Sequence, residues 1–244
     1  MNISNEQIHV SGLKIDVVKK DIKNLHLGVH PPTGRVRVAA PLSMSDDSIR
    51  LFVVSRIPWI NRQKEKFLNQ ERETKREYVT GESHYFLGKR YRLNFISDYN
   101  RRGVEIKGTN HINMYANSGS STYERMVVMD SFYRSELTKI LTELDKRWAK
   151  KLGIEVNEVR IKKMKTKWGS CNSSDKRIWI NLELAKKSLH CIDYVFVHEL
   201  IHIAERRHSK RFKELAQSAL PNFEKYKREL NRSALGYSAW KSVD

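Results

Sequence analysis

Residues 198–208 constrain the fold more than any other part of the chain, because they place three histidines in the sequence HELIHIAERRH. His198 and His202 are four residues apart, so on a helix their imidazoles lie on one face, one turn apart. If that helix continued, His208 would lie about 9 Å beyond His202 along the helix axis. The three histidines can therefore meet only if the helix ends before His208.

This pattern of residue types is typical of a catalytic metal site. Neutral imidazole nitrogens are good ligands for Zn²⁺, and a catalytic zinc ion has three protein ligands and one open position for water. We predict that His198, His202 and His208 bind one zinc ion. The carboxylate of Glu199, which follows the first histidine, is then the expected general base for the bound water.

The metal site requires a chain reversal within the segment AERR, residues 204–207. Ser209 is a favourable N-cap, and the sequence after it predicts a second helix that ends before Pro221. One large group of zinc enzymes has the motif HExxHxxGxxH, with a glycine in this turn. Here Glu205 occupies that position.

A rival interpretation is a closed structural zinc site formed by Cys171, Cys191, His198 and His202. The two cysteines lack the C-x-x-C pairing that is usual in such sites, and Glu199 would then have no role. We therefore expect both cysteines to be small apolar residues of the interior. With two cysteines a disulfide framework is excluded, and we expect a reducing, cytoplasmic compartment.

The first half of the chain predicts short strands around one helix. Apolar residues alternate from Leu13 and again up to the turn PPTG at residues 31–34, which predicts a meander of strands. Ser45 is the predicted N-cap of a helix that runs to about Phe67, with a break at Pro58. Alternation resumes at Tyr91.

The second half predicts a longer helix and the metal site. Apolar residues recur at helical spacing from Met126 to Trp148, which predicts one long helix that ends near Gly153. The basic segment RIKKMKTKW predicts a strand that continues into the motif WGSC. We place a domain boundary in the small, polar segment at residues 116–122. The expected fold is α+β, with a β-rich region at 1–117 and a catalytic domain at 118–244.

The charge of the chain favours an acidic partner. Lys and Arg total 46 against 28 acidic residues, a formal charge of +18. We expect DNA binding that is independent of base sequence, because Lys and Arg neutralise phosphates without reading bases. A basic, solubilising surface is the alternative. The densest apolar runs contain four residues, so we expect no membrane association.

Several of these motifs resemble the YgjP-like metal-dependent hydrolases, relatives of the SprT-type zinc metallopeptidases. The resemblance rests on WGSC (168–171), WINLEL (179–184), IDYVFVHEL (192–200) and HS (208–209) followed by Phe212, and extends to GRVRVAAP (34–41) and YFLGKRYRL (85–93). It implies a zincin-like domain in which His198, His202 and His208 match the zinc ligands and Glu199 the general base. Arg207 departs from the family, which often has Asn there.

The function expected from these features is zinc-dependent hydrolysis of peptide bonds in a peptide or protein substrate. The strand KRIWINL before the metal-binding helix could pair with an extended substrate if it lies at a sheet edge, and an interior position is the alternative.

Two other functions are also compatible with the sequence. One is a DNA-associated protein whose protease acts on DNA-bound proteins or is inactive, with Trp59, Trp168, Trp179 and Tyr91 as stacking residues. The other is a metal-dependent hydrolase of a non-peptide amide. The sequence does not indicate an oligomeric state.

Overall fold

The computed structural model describes residues 4–30, 34–68, 76–164 and 167–232. They belong to two compact units, Met1–Glu71 and Arg72–Asp244. Helices and strands occur in both units, which confirms the predicted α+β class. Among the described residues, no helix is both long and apolar enough to cross a bilayer.

The first unit is a four-stranded sheet with a helix packed on one face. Its elements are β1 (Ser4–Val10), β2 (Leu13–Lys20), β3 (His26–His30), β4 (Arg35–Pro41) and α1 (Asp46–Leu68). The strand order is β1-β2-β4-β3, and β2 is parallel to β4. The predicted meander is therefore wrong, because β4 lies between β2 and β3. The two strands with fully buried residues, such as Ile15 and Val38, occupy the centre, where both neighbours protect them from water.

Helix α1 begins as predicted but is not broken. The Ser48 N–H donates to the Ser45 hydroxyl at 3.3 Å, which confirms Ser45 as the N-cap. The helix continues through Pro58, so the predicted break is wrong. Pro58 and Val54 are both exposed, and the Val54 carbonyl that loses its helical partner can bond to water. In the predicted PPTG turn, residues 31–33 lie outside the described residues.

The second unit contains two small sheets and four helices among its described residues. The first sheet comprises β5 (Ser83–Phe86), β6 (Lys89–Ser97), β7 (Gly103–Lys107) and β8 (His111–Ala116), in the order β5-β6-β8-β7. The second comprises β9 (Glu158–Lys162), β10 (Gly169–Asn172) and β11 (Arg177–Asn181), in the order β10-β11-β9. The helices are α2 (Thr122–Leu152), α3 (Leu189–Ala204), α4 (Lys210–Ala219) and α5 (Phe223–Arg232), with a 3-10 helix at Leu182–Lys186.

The first of these sheets shares one hydrophobic core with α2. Leu93 on β6 and Met114 on β8 are fully buried in the same cluster as Leu137 on α2. The division into compact units therefore falls near residue 71, whereas our sequence boundary followed residue 117. The small, polar segment that suggested a boundary instead starts α2, because Ser121 forms a capping box with Glu124.

Helix α2 ends where the sequence predicts. Gly153 follows its last residue in the left-handed conformation, with φ of 65°, and its N–H bonds to the Ala149 carbonyl. Glycine adopts this conformation without the steric cost that a Cβ atom brings. Buried residues recur along one face of the helix from Val128 to Trp148. The predicted long amphipathic helix is thus confirmed.

The three-stranded sheet corrects one prediction and decides between two alternatives for another strand. The run RIKKMKTKW is not one strand that enters WGSC, because β9 ends at Lys162 and β10 begins at Gly169. Strand β11, the predicted candidate for a substrate-binding edge, lies between β10 and β9, so it is an interior strand. β10 forms one edge of this sheet, antiparallel to β11.

A buried amide holds the connection between β9 and β10. Asn181, at the end of β11, is 2% exposed. Its side-chain NH₂ donates to the carbonyls of Met164 and Lys167, at 2.8 Å each. Its oxygen accepts from the N–H groups of Met164 and Glu183, at 3.2 Å each. One side chain therefore satisfies four backbone groups and fixes the entry into β10.

We predict that Asn181→Asp lowers the free energy of unfolding by about 2 to 4 kcal/mol, because a carboxylate cannot donate to the two carbonyls that the amide satisfies. Urea unfolding followed by circular dichroism measures this loss. The control is Asn110→Asp, the same change at an exposed position, where we expect at most about 0.5 kcal/mol. Equal stabilities of the two variants would show that Asn181 does not hold this connection.

Candidate metal centre

Helix α3 supplies the first two histidines and the glutamate. Its apolar residues bury it in the second unit; Phe196, Leu200 and Ile201 are fully buried. This orientation leaves the side chains of His198 and His202, one turn apart, half-buried. Glu199 is buried, with 8% exposure. The core around α3 thus determines which face of the helix carries the polar residues.

The chain turns after Ala204, as the spacing of the histidines requires. Glu205 is extended, and Ser209 caps α4 by accepting the Phe212 N–H at 3.2 Å, so the predicted helix end and N-cap are both confirmed. No residue from 205 to 208 has a positive φ. This turn therefore needs neither a glycine at position 205 nor an Asn at position 207.

The turn brings the three histidines together. The Nε2 atom of His198 lies 3.2 Å from Nε2 of His202 and 3.1 Å from Nε2 of His208. Within the described part of the chain, these three residues form the one group of His, Cys, Asp or Glu whose ligand atoms converge on a common point. The rival site with Cys171 and Cys191 is not formed; both cysteines are free, and the Cys191 thiol instead contacts Glu229 at 3.5 Å.

A backbone carbonyl orients the second histidine. Nδ1 of His202 lies 3.0 Å from the carbonyl oxygen of Glu205. Because a carbonyl can only accept, Nδ1 must carry the proton in this bond, and the lone pair is then on Nε2, which faces the other two histidines. Carbonyl partners of this kind orient many metal-binding histidines. The sequence did not reveal this role of Glu205, since it depends on the backbone.

Aromatic side chains lie against the three histidines, and burial disfavours the charged form of two of them. The ring of Phe212 lies 4.7 to 5.1 Å from all three imidazoles, and the ring of Phe223 lies 6.0 Å from that of His198. Burial, together with the neighbouring histidines, lowers the pKa of His198 to about 4. Burial also lowers the pKa of His208. Uncharged imidazoles have the free lone pairs that a metal needs.

The environment of Glu199 suits a general base. Burial raises the pKa of its carboxyl to about 7, against a smaller opposing effect of the Lys167 charge. A carboxyl group with a pKa near neutrality can both take up and release a proton under physiological conditions. This pKa and the adjacent imidazoles provide the proton-transfer group and the ligands that a hydrolytic metal site requires.

Gly169 allows strand β10 to pass close to Glu199. A Cβ atom at this position would lie 2.7 Å from Cγ and 2.8 Å from Oε1 of Glu199, which is closer than real Cβ contacts. The φ of Gly169 is not positive, so the glycine is required by this contact and not by its own conformation. The motif WGSC is recognisable in the sequence. Its contact with Glu199 cannot be predicted from the local pattern, because the two are thirty positions apart.

The donor set fits a zinc ion. Zn²⁺ binds neutral imidazole nitrogens, and three of them leave a fourth position of a tetrahedral site open. His198, His202 and His208 supply three such nitrogens, and the ring of Phe212 packs against all three imidazoles. The residues present are therefore those that a catalytic zinc site needs.

Comparisons with known proteins agree with this chemistry. A family model described as YgjP-like, metallopeptidase domain, matches residues 23–233. This match spans most of both compact units and includes the three histidines and Glu199. A search of the curated proteins returns no match.

We predict that Gly169→Ala displaces the Glu199 carboxylate and lowers the free energy of unfolding by about 1 to 3 kcal/mol, because the added methyl group overpacks the contact. Crystal structures and urea unfolding measure the two effects. Gly103→Ala is the matched control, since a Cβ atom there meets nothing within 4 Å. An unmoved Glu199 and unchanged stability in the Gly169→Ala variant would contradict the role given to this glycine.

Proposed function

The chain belongs to the YgjP-like metallopeptidase family, and we propose that it is a zinc-dependent peptidase with Glu199 as its general base. Membership in this family implies a metal-dependent hydrolase. Zinc, the peptide bond as the target and the roles of the individual residues are our proposals. The observation that carries them is the convergence of His198, His202 and His208 beside a buried glutamate.

Each residue of the site has a defined task in this proposal. His198, His202 and His208 would hold the metal through their Nε2 atoms. A zinc ion bound there would supply Lewis-acid chemistry, which polarises a carbonyl group and makes water more acidic. Glu199 takes the proton of the attacking water on its carboxylate and passes it to the leaving amine nitrogen. The aromatic rings of Phe212 and Phe223 pack against the imidazole of His198.

Strand β10 is the edge that we propose for substrate binding. Among the described residues, β10 pairs with β11 on one side and with no strand on the other. A free strand edge can bind an extended peptide through backbone hydrogen bonds. Gly169 on this strand contacts Glu199, so a peptide along β10 would pass close to the base. This proposal transfers to β10 the role that we first considered for β11.

A cytoplasmic location remains our proposal for this enzyme. It rests on Cys171 and Cys191, which are both free in the structure and are typical of a reducing compartment.

We predict that the purified protein contains about one zinc ion per chain and that His202→Ala loses it, because two imidazoles hold zinc much less tightly than three. Metal analysis measures the stoichiometry. His190→Ala, on the same helix but outside the group, is the control that should retain the metal. X-ray absorption should show nitrogen neighbours at about 2.0 to 2.1 Å. Sulfur at about 2.3 Å would favour a cysteine site instead.

We predict that Glu199→Gln retains the zinc ion and the fold but lowers the rate of peptide hydrolysis by at least about a hundredfold, because an amide cannot accept the proton of water. Incubation with a peptide library, followed by mass spectrometry, measures the cleavage. Glu214→Gln, an exposed change on α4, is the control.

Three results of this experiment are informative. Cleavage by Glu199→Gln at the wild-type rate would contradict the role of the base. A wild-type enzyme that loads zinc but cleaves no peptide would contradict the peptide substrate and favour a non-peptide amide. Loss of the zinc ion from the Glu199→Gln variant would show a structural role for this residue.

A further inference from the structure

The open face of the sheet in the first unit is rich in basic residues that the proposed peptidase does not use. One face of this sheet packs against α1 through Ile15, Val36 and Val38. Side chains alternate between faces along a strand, so the residues between these point away from α1. On the opposite face lie Gln7, His9, Lys14, Asp16, Val18, Lys20, His26, Gly28, His30, Arg35, Arg37 and Ala39. We call this set the outer face.

Four residues form a row across the outer face, with Lys14 and Arg35 at its centre and the formally neutral His9 and His30 at its ends. His9 pairs with Lys14 between β1 and β2, and His30 pairs with Arg35 between β3 and β4. The parallel register of β2 and β4, in which Ile15 opposes Val36, places Lys14 beside Arg35. With neighbouring strands about 4.8 Å apart, the row spans about 14 Å.

The outer face has an excess of positive charge, with Lys14, Lys20, Arg35 and Arg37 against one carboxylate. Asp16 is the one carboxylate among the outer-face residues; it pairs with Arg35 and also accepts from Gln7 at 2.7 Å. Lys14 and Arg37 are exposed next to these groups. Like charges directly opposite each other destabilise a sheet.

The charges of two arginines affect a histidine on the outer face. Burial lowers the pKa of His30, and the nearby charges of Arg37 and Arg35 lower it further. Among the described residues, the outer face carries no Phe, Tyr or Trp. A surface with cations and without such rings binds phosphates electrostatically and does not provide the stacking platform that unpaired bases prefer.

We infer that the outer face binds the phosphate backbone of duplex nucleic acid. A duplex carries one negative charge per about 1.7 Å of its axis, so a row of about 14 Å faces several phosphates. The contacts involve the backbone and not the base edges, so this binding is independent of base sequence. The inference concerns a surface of the first unit and accounts for only part of the +18 formal charge of the chain. It does not depend on the proposed peptidase activity.

The test compares two triple variants of the full-length, metal-loaded protein. The first is Lys14→Gln, Arg35→Gln, Arg37→Gln on the outer face. The second is Lys139→Gln, Lys146→Gln, Lys150→Gln, three exposed positions on α2 that remove the same charge. Fluorescence anisotropy measures binding to a labelled duplex of about 20 base pairs and to its single strand, over a salt series from about 50 mM.

We expect wild-type protein to bind the duplex more tightly than the single strand, with affinity that falls steeply as salt rises. For the outer-face triple variant, the slope of the logarithm of the binding constant against the logarithm of the salt concentration should be smaller in magnitude by about 2 to 3. Its affinity at low salt should fall by at least about tenfold. The α2 triple variant should keep the wild-type slope, and Glu199→Gln should bind as wild type does. Unchanged thermal unfolding of both triples shows that the loss is not due to misfolding.

Four results would overturn the inference. Equal losses in both triple variants would show that net charge alone drives binding. Absence of binding by the wild type near about 50 mM salt would leave the charge as a solubility feature. A strong preference for one base sequence would require a base-reading element elsewhere. Binding to phosphatidylserine vesicles that the outer-face triple abolishes, with duplex binding unchanged, would assign the surface to a membrane.

Discussion

The convergence of three imidazole nitrogens depends on the end of α3 at Ala204. A helix that ended one turn later would carry His208 away from the other two histidines. Three interactions hold the turn where it is: the Glu205 carbonyl accepts from His202, the Ser209 hydroxyl caps α4, and Phe212 contacts all three imidazoles. The first two are polar and local, whereas the third requires the completed fold. The turn and the site therefore stabilise each other.

Burial lowers the pKa of His198 and raises that of Glu199, and both effects suit the hydrolysis that we propose. The same low-polarity environment that disfavours a proton on His198 disfavours the loss of a proton from Glu199. The lone pair of the imidazole thereby stays free, and the carboxyl remains able to exchange a proton near neutral pH. The close passage of β10 at Gly169 completes this environment without placing a side chain between the strand and the base.

The sequence predicted those parts of the structure that are governed by local spacing. The histidine interval required a turn, Ser209 and Ser45 indicated helix starts, and Gly153 indicated the end of α2. The sequence could not predict the features that depend on which helices and strands become neighbours, such as strand order and long-range contacts. Alternation shows which face of a strand is apolar, but not that β4 lies between β2 and β3. The contacts of Gly169 with Glu199 and of Asn181 with Met164 join residues that are distant in the chain, so neither appears in a local pattern.

The position of the ligands along the chain has a consequence for the order of events during synthesis. The first unit is complete by residue 71, whereas His198, His202 and His208 are translated more than a hundred residues later. Domains generally fold as units while the ribosome is still at work. The sheet of the first unit can therefore form before the three histidines are translated, and the metal binding that we propose would follow the synthesis of α4.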